Sequence, residues 1–271
     1  MGRCSRPRAP RKPGLRYLGL LAALAWVPSA EAGGWPRDKG ETLLILTNLV
    51  DRADGYFDAD RQRQSGGHFY KDELAAYIEY GATDRVTLVG RFAWQNVDQL
   101  SGGRRDAAQG FSASELGVRA LIWRRDDWVV SGQLSHFVPG EGENVTNQPL
   151  GQGEGAFDLR LLVGRALPRD GFLDVQLAHR ARDGRYLDEW RMDTSLGFAI
   201  SERWSAMVQS YSVWSAEETR PGLPEFDQHK LQFSVLRTVG EVDYQIGVIL
   251  TPSGRNALDE RAAVLSVWRR F

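Results

Sequence analysis

Hydrophobic and polar residues alternate in twos along most of this chain. Between Lys71 and Tyr80, one parity carries Leu74, Ala76, Ile78 and Tyr80, and the other Lys71, Glu73, Tyr77 and Glu79. After Thr83-Asp84-Arg85 the apolar parity resumes as Val86, Leu88, Gly90, Phe92 and Trp94, against Thr87, Val89, Arg91 and Gln95. Side chains of a strand point alternately to opposite faces, so this period predicts two strands joined as a hairpin. The unit recurs. Leu116, Val118, Ala120 and Ile122 turn at Arg124 to Asp127 into Trp128, Val130, Gly132 and Leu134. Phe157, Leu159, Leu161 and Val163 turn at Pro168-Arg169-Asp170-Gly171 into Leu173, Val175 and Leu177. Met192, Leu196, Phe198 and Ile200 precede Ser201-Glu202-Arg203; Leu231, Phe233 and Val235 lead through Val239-Gly240-Glu241 to Val242, Tyr244, Ile246, Val248 and Leu250. Residues 204 to 214 show the pattern least, with small and polar residues on both faces. A first strand at Thr42 to Val50 and a last one ending at Phe271 bring the prediction to about twelve strands.

The connections alternate too. Short polar turns follow the even-numbered strands, and longer Gly- and Asp-rich segments (51–67, 97–112, 139–154, 215–226) follow the first, third, fifth and ninth. No stretch reaches the ~18 apolar residues of a helical span. A sheet can still cross lipid if it closes on itself and leaves no backbone group unpaired. The predicted fold is therefore all-β: a transmembrane antiparallel up-and-down barrel, with apolar residues facing lipid and polar ones facing the lumen. Trp94, Trp128, Tyr80, Trp190, Trp204 and Trp214, near strand ends, fit interfacial girdles. A soluble sandwich or lipocalin-like barrel would alternate as well, but with its apolar face turned inward.

The termini point to the same compartment. Arg3, Arg6, Arg8, Arg11, Lys12 and Arg16 precede the apolar run Leu18 to Val27, and Ala30-Glu31-Ala32 offers small residues where a signal peptidase reads. The domain expectation is a signal peptide over 1–32, cleaved before Gly33, and a barrel over 33–271. Losing 1–32 removes six basic residues and one acid from totals of 34 and 35, leaving 28 against 34, a charge of −6. That mild acidity argues against nucleic acid as a partner. The chain's one cysteine, Cys4, lies in the leader, so the mature protein has neither disulfide nor thiolate metal site.

At the other end, Ala263, Leu265, Val267 and Phe271 share a parity, with Arg269 the exception. A last strand that stops on an aromatic resembles the C-terminal signal of bacterial outer-membrane barrels, which makes Phe271 the expected assembly signal. The segments Glu79-Tyr80-Gly81-Ala82-Thr83-Asp84-Arg85-Val86-Thr87-Leu88 and Val264 to Phe271 resemble outer-membrane proteins grouped with phenol-degradation meta-pathway transporters. Gly33-Gly34-Trp35-Pro36 resembles, more narrowly, an outer-membrane family associated with exopolysaccharide production. The resemblance implies a barrel in the bacterial outer membrane. Outer-membrane lipid and the assembly machinery are then the expected partners, with the solute or polysaccharide unspecified and no cofactor implied.

The lumen parity gathers charges of both signs: Lys71, Glu73, Glu79, Arg91, Arg119, Asp158, Arg160, Asp174, Arg180, Arg191, Asp193, Lys230 and Asp243. In a water-filled pore such groups set selectivity, and Arg91, Arg119, Arg160, Arg191, Glu79 and Asp193 are the candidates for it. In a narrow barrel they pair and fill the interior instead; twelve strands lie between the filled and the open sizes. Asp51, Asp54, Asp58 and Asp60 cluster in the first long segment as weak candidates for Ca²⁺, though acidic loops are usually only solvated. Glu141, Glu143, Glu217, Glu218 and Glu225 are weaker still. The four histidines, His68, His136, His179 and His229, form no matched Ser/His/acid set by spacing. Three readings follow: a channel or transporter; an accessory barrel linked to surface polysaccharide, acting through its loops; and a barrel hydrolase dependent on His136 or His229. The first leads, and no enzyme is expected.

Overall fold

A computed structural model describes residues 33–101, 103–140, 142–144, 155–183, 186–216 and 223–271; the leader expected over 1–32 lies outside them. Twelve strands form the wall: β1 (Thr42–Phe57), β2 (Arg63–Thr83), β3 (Val86–Ser101), β4 (Ser114–Arg125), β5 (Trp128–Val138), β6 (Ala156–Leu167), β7 (Gly171–Arg182), β8 (Glu189–Ser201), β9 (Trp204–Ser215), β10 (Asp227–Val239), β11 (Val242–Arg255) and β12 (Arg261–Arg270). Every consecutive pair is antiparallel, and β12 pairs with β1, Leu43 opposite Arg270. The seam is completed by Phe271, whose N–H donates to Thr42 O at 2.9 Å while its carbonyl accepts from Thr42 N at 3.1 Å. The ring has no free edge, the condition for backbone inside hydrocarbon. The protein is a closed twelve-stranded barrel of the outer-membrane type.

The faces divide as the alternation predicts. Leu74, Leu116, Leu134, Leu159, Ile246 and Leu265 are exposed on the outer face; Glu73, Glu79, Arg119, Asp158, Arg160 and Gln232 are buried on the inner one. That is a soluble core turned inside out, and lipid is the solvent that makes it favourable. Trp94, Trp128, Tyr80, Trp190 and Trp204 are all exposed outward.

Two expectations are corrected. Residues 51–67 and 97–112 are not open loops. β1 and β2 continue pairing to Phe57 and Arg63, and β3 continues into a hairpin with Arg104–Phe111, so the wall rises past the membrane on that side. The segment 204–214, counted as a strand despite its weak pattern, is the regular strand β9, with Met207, Gln209, Tyr211 and Val213 buried inward. Finally, the lumen is not polar throughout. Leu43, Ile45, Tyr77, Val89, Met207 and Trp268 pack together inside the barrel, and Leu49, Ile249, Ala262 and Val264 form a second inner cluster. The seam strands are apolar on both faces because their inward side chains find one another across a narrow interior. Of the long segments, Gly142–Asn144 pairs with Arg104–Phe111, while 145–154 and 217–222 lie outside the described residues.

Candidate functional site

Each inner-face charge comes from a strand whose outer neighbours face lipid, so position in the wall, rather than local chain conformation, aims it at the lumen. There the charges pair. Glu79 accepts from Arg37 Nε at 2.6 Å and Tyr77 OH at 2.7 Å, and faces Arg119 Nη2 at 2.8 Å. Arg119 Nε donates onward to Gln133 Oε1 at 3.0 Å. Arg160 bridges Asp158 at 3.2 Å and Asp193 at 2.7 Å, and Arg180 shares Asp158 at 3.0 Å. Glu189 holds Arg182 and Arg191 at 2.9 and 3.2 Å, Arg91 and Gln95 both reach Glu73, and Lys230 pairs with Glu260. All six selectivity candidates (Arg91, Arg119, Arg160, Arg191, Glu79, Asp193) therefore stand on the inner face, buried; Arg91, Arg119, Arg160, Glu79 and Asp193 take part in ion pairs that run between strands, and Arg191 pairs with Glu189 of its own strand. Buried pairs of this kind contribute little net stability, but losing one partner is costly.

One contributor had no expected role. Residues 33–37 lie inside the barrel rather than trailing from it. From the start of β1 the segment passes β2 and β3, where Arg37 N donates to Thr87 Oγ1 at 2.9 Å and Arg37 Nε to Glu79. Arg119 of β4 donates to Trp35 O at 3.5 Å, Ser131 of β5 donates to Gly34 O at 2.5 Å, and Gly34 N donates to Asp174 Oδ2 of β7 at 2.7 Å. β7 stands opposite β1 in a ring of twelve, so the segment crosses the mouth on the side of the short turns. Trp35 meets Phe172 edge-on, 6.4 Å between centroids, and lies over Gly164, where an added methyl would come within 2.6 Å of its ring. A cleft of ≈ 310 Å³ remains beside it, lined by Trp35, Arg37, Ala166, Asp170, Gly171, Phe172 and Arg270. The spacing of Gly33-Gly34-Trp35-Pro36 resembled a family opening, but no periodicity signals a segment that folds back into its own barrel.

The four aspartates do not converge. Asp51 is buried on the inner face, Asp54 is exposed on the outer, and Asp58 caps its turn, accepting from Gln62 N at 2.9 Å and Asp60 N at 3.0 Å. The Gln62 bond, with those from Gln64 and Asp60, holds the Asp58 carboxyl below its usual range. Among the described residues no three His, Cys, Asp or Glu side chains form a metal-binding group. His136 stacks on Phe157 (centroids 4.5 Å apart) and His179 meets Trp190 edge-on at 4.8 Å, both on the outer face as interfacial residues. His68 contacts Asp54 at 3.2 Å. His229 shares a 3.0 Å hydrogen bond with Ser212, but its other nitrogen stands 3.7 Å from Asp227, which Arg61 and Arg255 already hold. An acid neutralised by two guanidiniums is a poor partner for a catalytic imidazole.

Comparison with known proteins supports the architecture. No family model matches the chain, and no curated protein matches it. Among solved structures, an outer membrane channel from Pseudomonas putida F1 superposes with a TM-score of 0.75 at 13% identity, covering 91% of this chain and 100% of that one. The translocator domain of the autotransporter NalP from Neisseria meningitidis gives 0.57 at 13% identity, covering 87% and 90%. The KdgM porin gives 0.52 at 8%, covering 84% and 99%. At such identities the shared property is the fold: a bacterial outer-membrane barrel, set in membrane lipid.

Proposed function

We propose that this protein is an outer-membrane channel for a small hydrophilic solute, held narrow by its own N-terminal segment. The observation that carries the reading is the lumen: a closed barrel whose inner face bears Arg91, Arg119, Arg160, Arg191, Glu79 and Asp193, with a peptide segment rather than a wall strand across one mouth. Side chains of both signs along a lumen favour a polar solute and set its selectivity. The likeness to an outer membrane channel and to porins fits this use of the fold. Residues 1–32 serve as the cleaved leader and 33–271 as the barrel, with Phe271 read by the assembly machinery.

Planar-bilayer recording of the purified protein tests it. The expected result is a small single-channel conductance that rises when residues 33–37 are deleted; silence in both forms would end the channel reading. The buried ion pairs favour a second reading, an accessory barrel supporting surface polysaccharide. Cells lacking the protein would then lose capsule yield while solute uptake stays unchanged.

A further inference from the structure

Asp174 is a lumen carboxylate that no cation of the ion-pair network touches. Its partners on Oδ1 and Oδ2 are Gln176 Nε2 at 2.6 Å and Gly34 N at 2.7 Å, and among the described residues no Lys, Arg or His makes an ion pair with it. Its neighbours differ: Asp158 and Asp193 are both held by arginine. Asp174 is nevertheless buried. A buried carboxylate outside any ion pair is costly unless it takes up a proton or gains a cation in direct contact.

The chain supplies one only after processing. A methyl built on Gly33 would meet Asp174 Oδ2 at 2.6 Å, so Gly33 stands against the same oxygen that accepts from Gly34. In the precursor the nitrogen of Gly33 is a neutral amide. Hydrolysis of the Ala32–Gly33 bond by a signal peptidase consumes one water. Ala32 leaves with the new carboxylate, and Gly33 keeps the nitrogen, which is protonated at neutral pH as an α-ammonium. We infer that this ammonium is the cationic partner of Asp174, and that the pair latches the N-terminal segment across the mouth of the barrel once the leader is gone. The two glycines fit the role. A methyl on Gly34 would press on Gly164 N at 3.1 Å, and a side chain on Gly33 would displace the carboxylate. The precursor cannot form the pair, so the latch closes only on a barrel whose export is complete.

The inference rests on the plugged-channel reading for its consequence, but its test reads seating of the segment and not conduction. The mature chain has no cysteine, so Pro36→Cys is a unique reporter in protein expressed as the full chain and purified from the outer membrane. N-terminal sequencing must first find Gly33; any other first residue overturns the proposal. A charged maleimide should label Cys at this position slowly in the parent. Labelling should be about tenfold faster after Asp174→Asn, and about tenfold faster after inserting Gly-Ser between Ala32 and Gly33, which moves the ammonium while leaving the barrel wall intact. If Asp174→Asn fails to assemble, the insertion decides alone. Equal labelling of parent and insertion would overturn the latch, whereas a silent barrel with the labelling contrast intact would sink only the channel.

Discussion

Arg160 and Leu161 are consecutive in β6, lie at nearly the same depth and face opposite solvents. Arg160 is buried in the lumen between Asp158 and Asp193; Leu161 points outward between Gly132 and Leu177. The interfacial residues on the outer face of β6 are Phe157, stacked on His136, and Arg165, over the Trp128 ring, each four positions from Leu161. At ~3.3 Å per residue and a tilt of ~40°, four positions correspond to about 10 Å of depth, which puts Leu161 near the midplane. An arginine there should cost about 2–4 kcal/mol, a factor of roughly 30 to 1,000 in the folding equilibrium. Arg160→Leu should also destabilise, by about 3–5 kcal/mol, because Asp193 loses its cation and Asp158 keeps only Arg180. Bilayer thickness separates the two causes. The Leu161→Arg penalty should shrink in vesicles of shorter acyl chains, where the interface comes closer, and the Arg160→Leu penalty should not. Reversible denaturant titration of folding into vesicles, followed by tryptophan fluorescence, measures both. A Leu161→Arg penalty below about 0.5 kcal/mol in thick bilayers, or equal thickness dependence of the two variants, would refute the assignment of faces.

Other consequences are narrower. Glu79→Gln leaves Arg37 and Arg119 without their shared carboxylate, and should lower folding stability by about 3–5 kcal/mol in the same titration. Deleting Phe271 removes both backbone bonds to Thr42 and the terminal aromatic, so the fraction of protein reaching the outer membrane, measured by fractionation, should fall severalfold while synthesis is unchanged. Above the Trp94–Phe111 contact, in the hairpin beyond the membrane, hydrogen bonds from Arg105 hold the Asp98 carboxyl below its usual range. A depressed carboxyl stabilises above its unfolded value, about 3.9, and loses that contribution as pH falls through the lower folded value. The protection factors of the Val97–Leu100 amides, that is, exchange corrected for its intrinsic pH dependence, should therefore fall only in strong acid, and in Asp98→Asn they should be low, and flat, from neutral pH down.

The sequence by itself determined the architecture, since a two-residue period written over many short segments, with short and long connections in turn, admits few closed sheets. It also determined which residues face inward, because parity is a local property: Arg91, Arg119, Arg160 and Arg191 could be assigned to the lumen strand by strand. Only the tertiary structure decided what those residues meet. Arg160 reaches Asp193 from two strands away, and Glu79 reaches Arg119 and Arg37 from two other elements, distances that no spacing encodes. The apolar inner face of β1 and β12 was hidden for the same reason, as Leu43, Ile45 and Trp268 bury one another, and Leu49 and Val264 do likewise, only after the seam closes. The return of Gly33 to Arg37 into the lumen was the least legible feature. Its bonds go to side chains scattered from Glu79 to Asp174, and only closure of the ring gathers these around one opening.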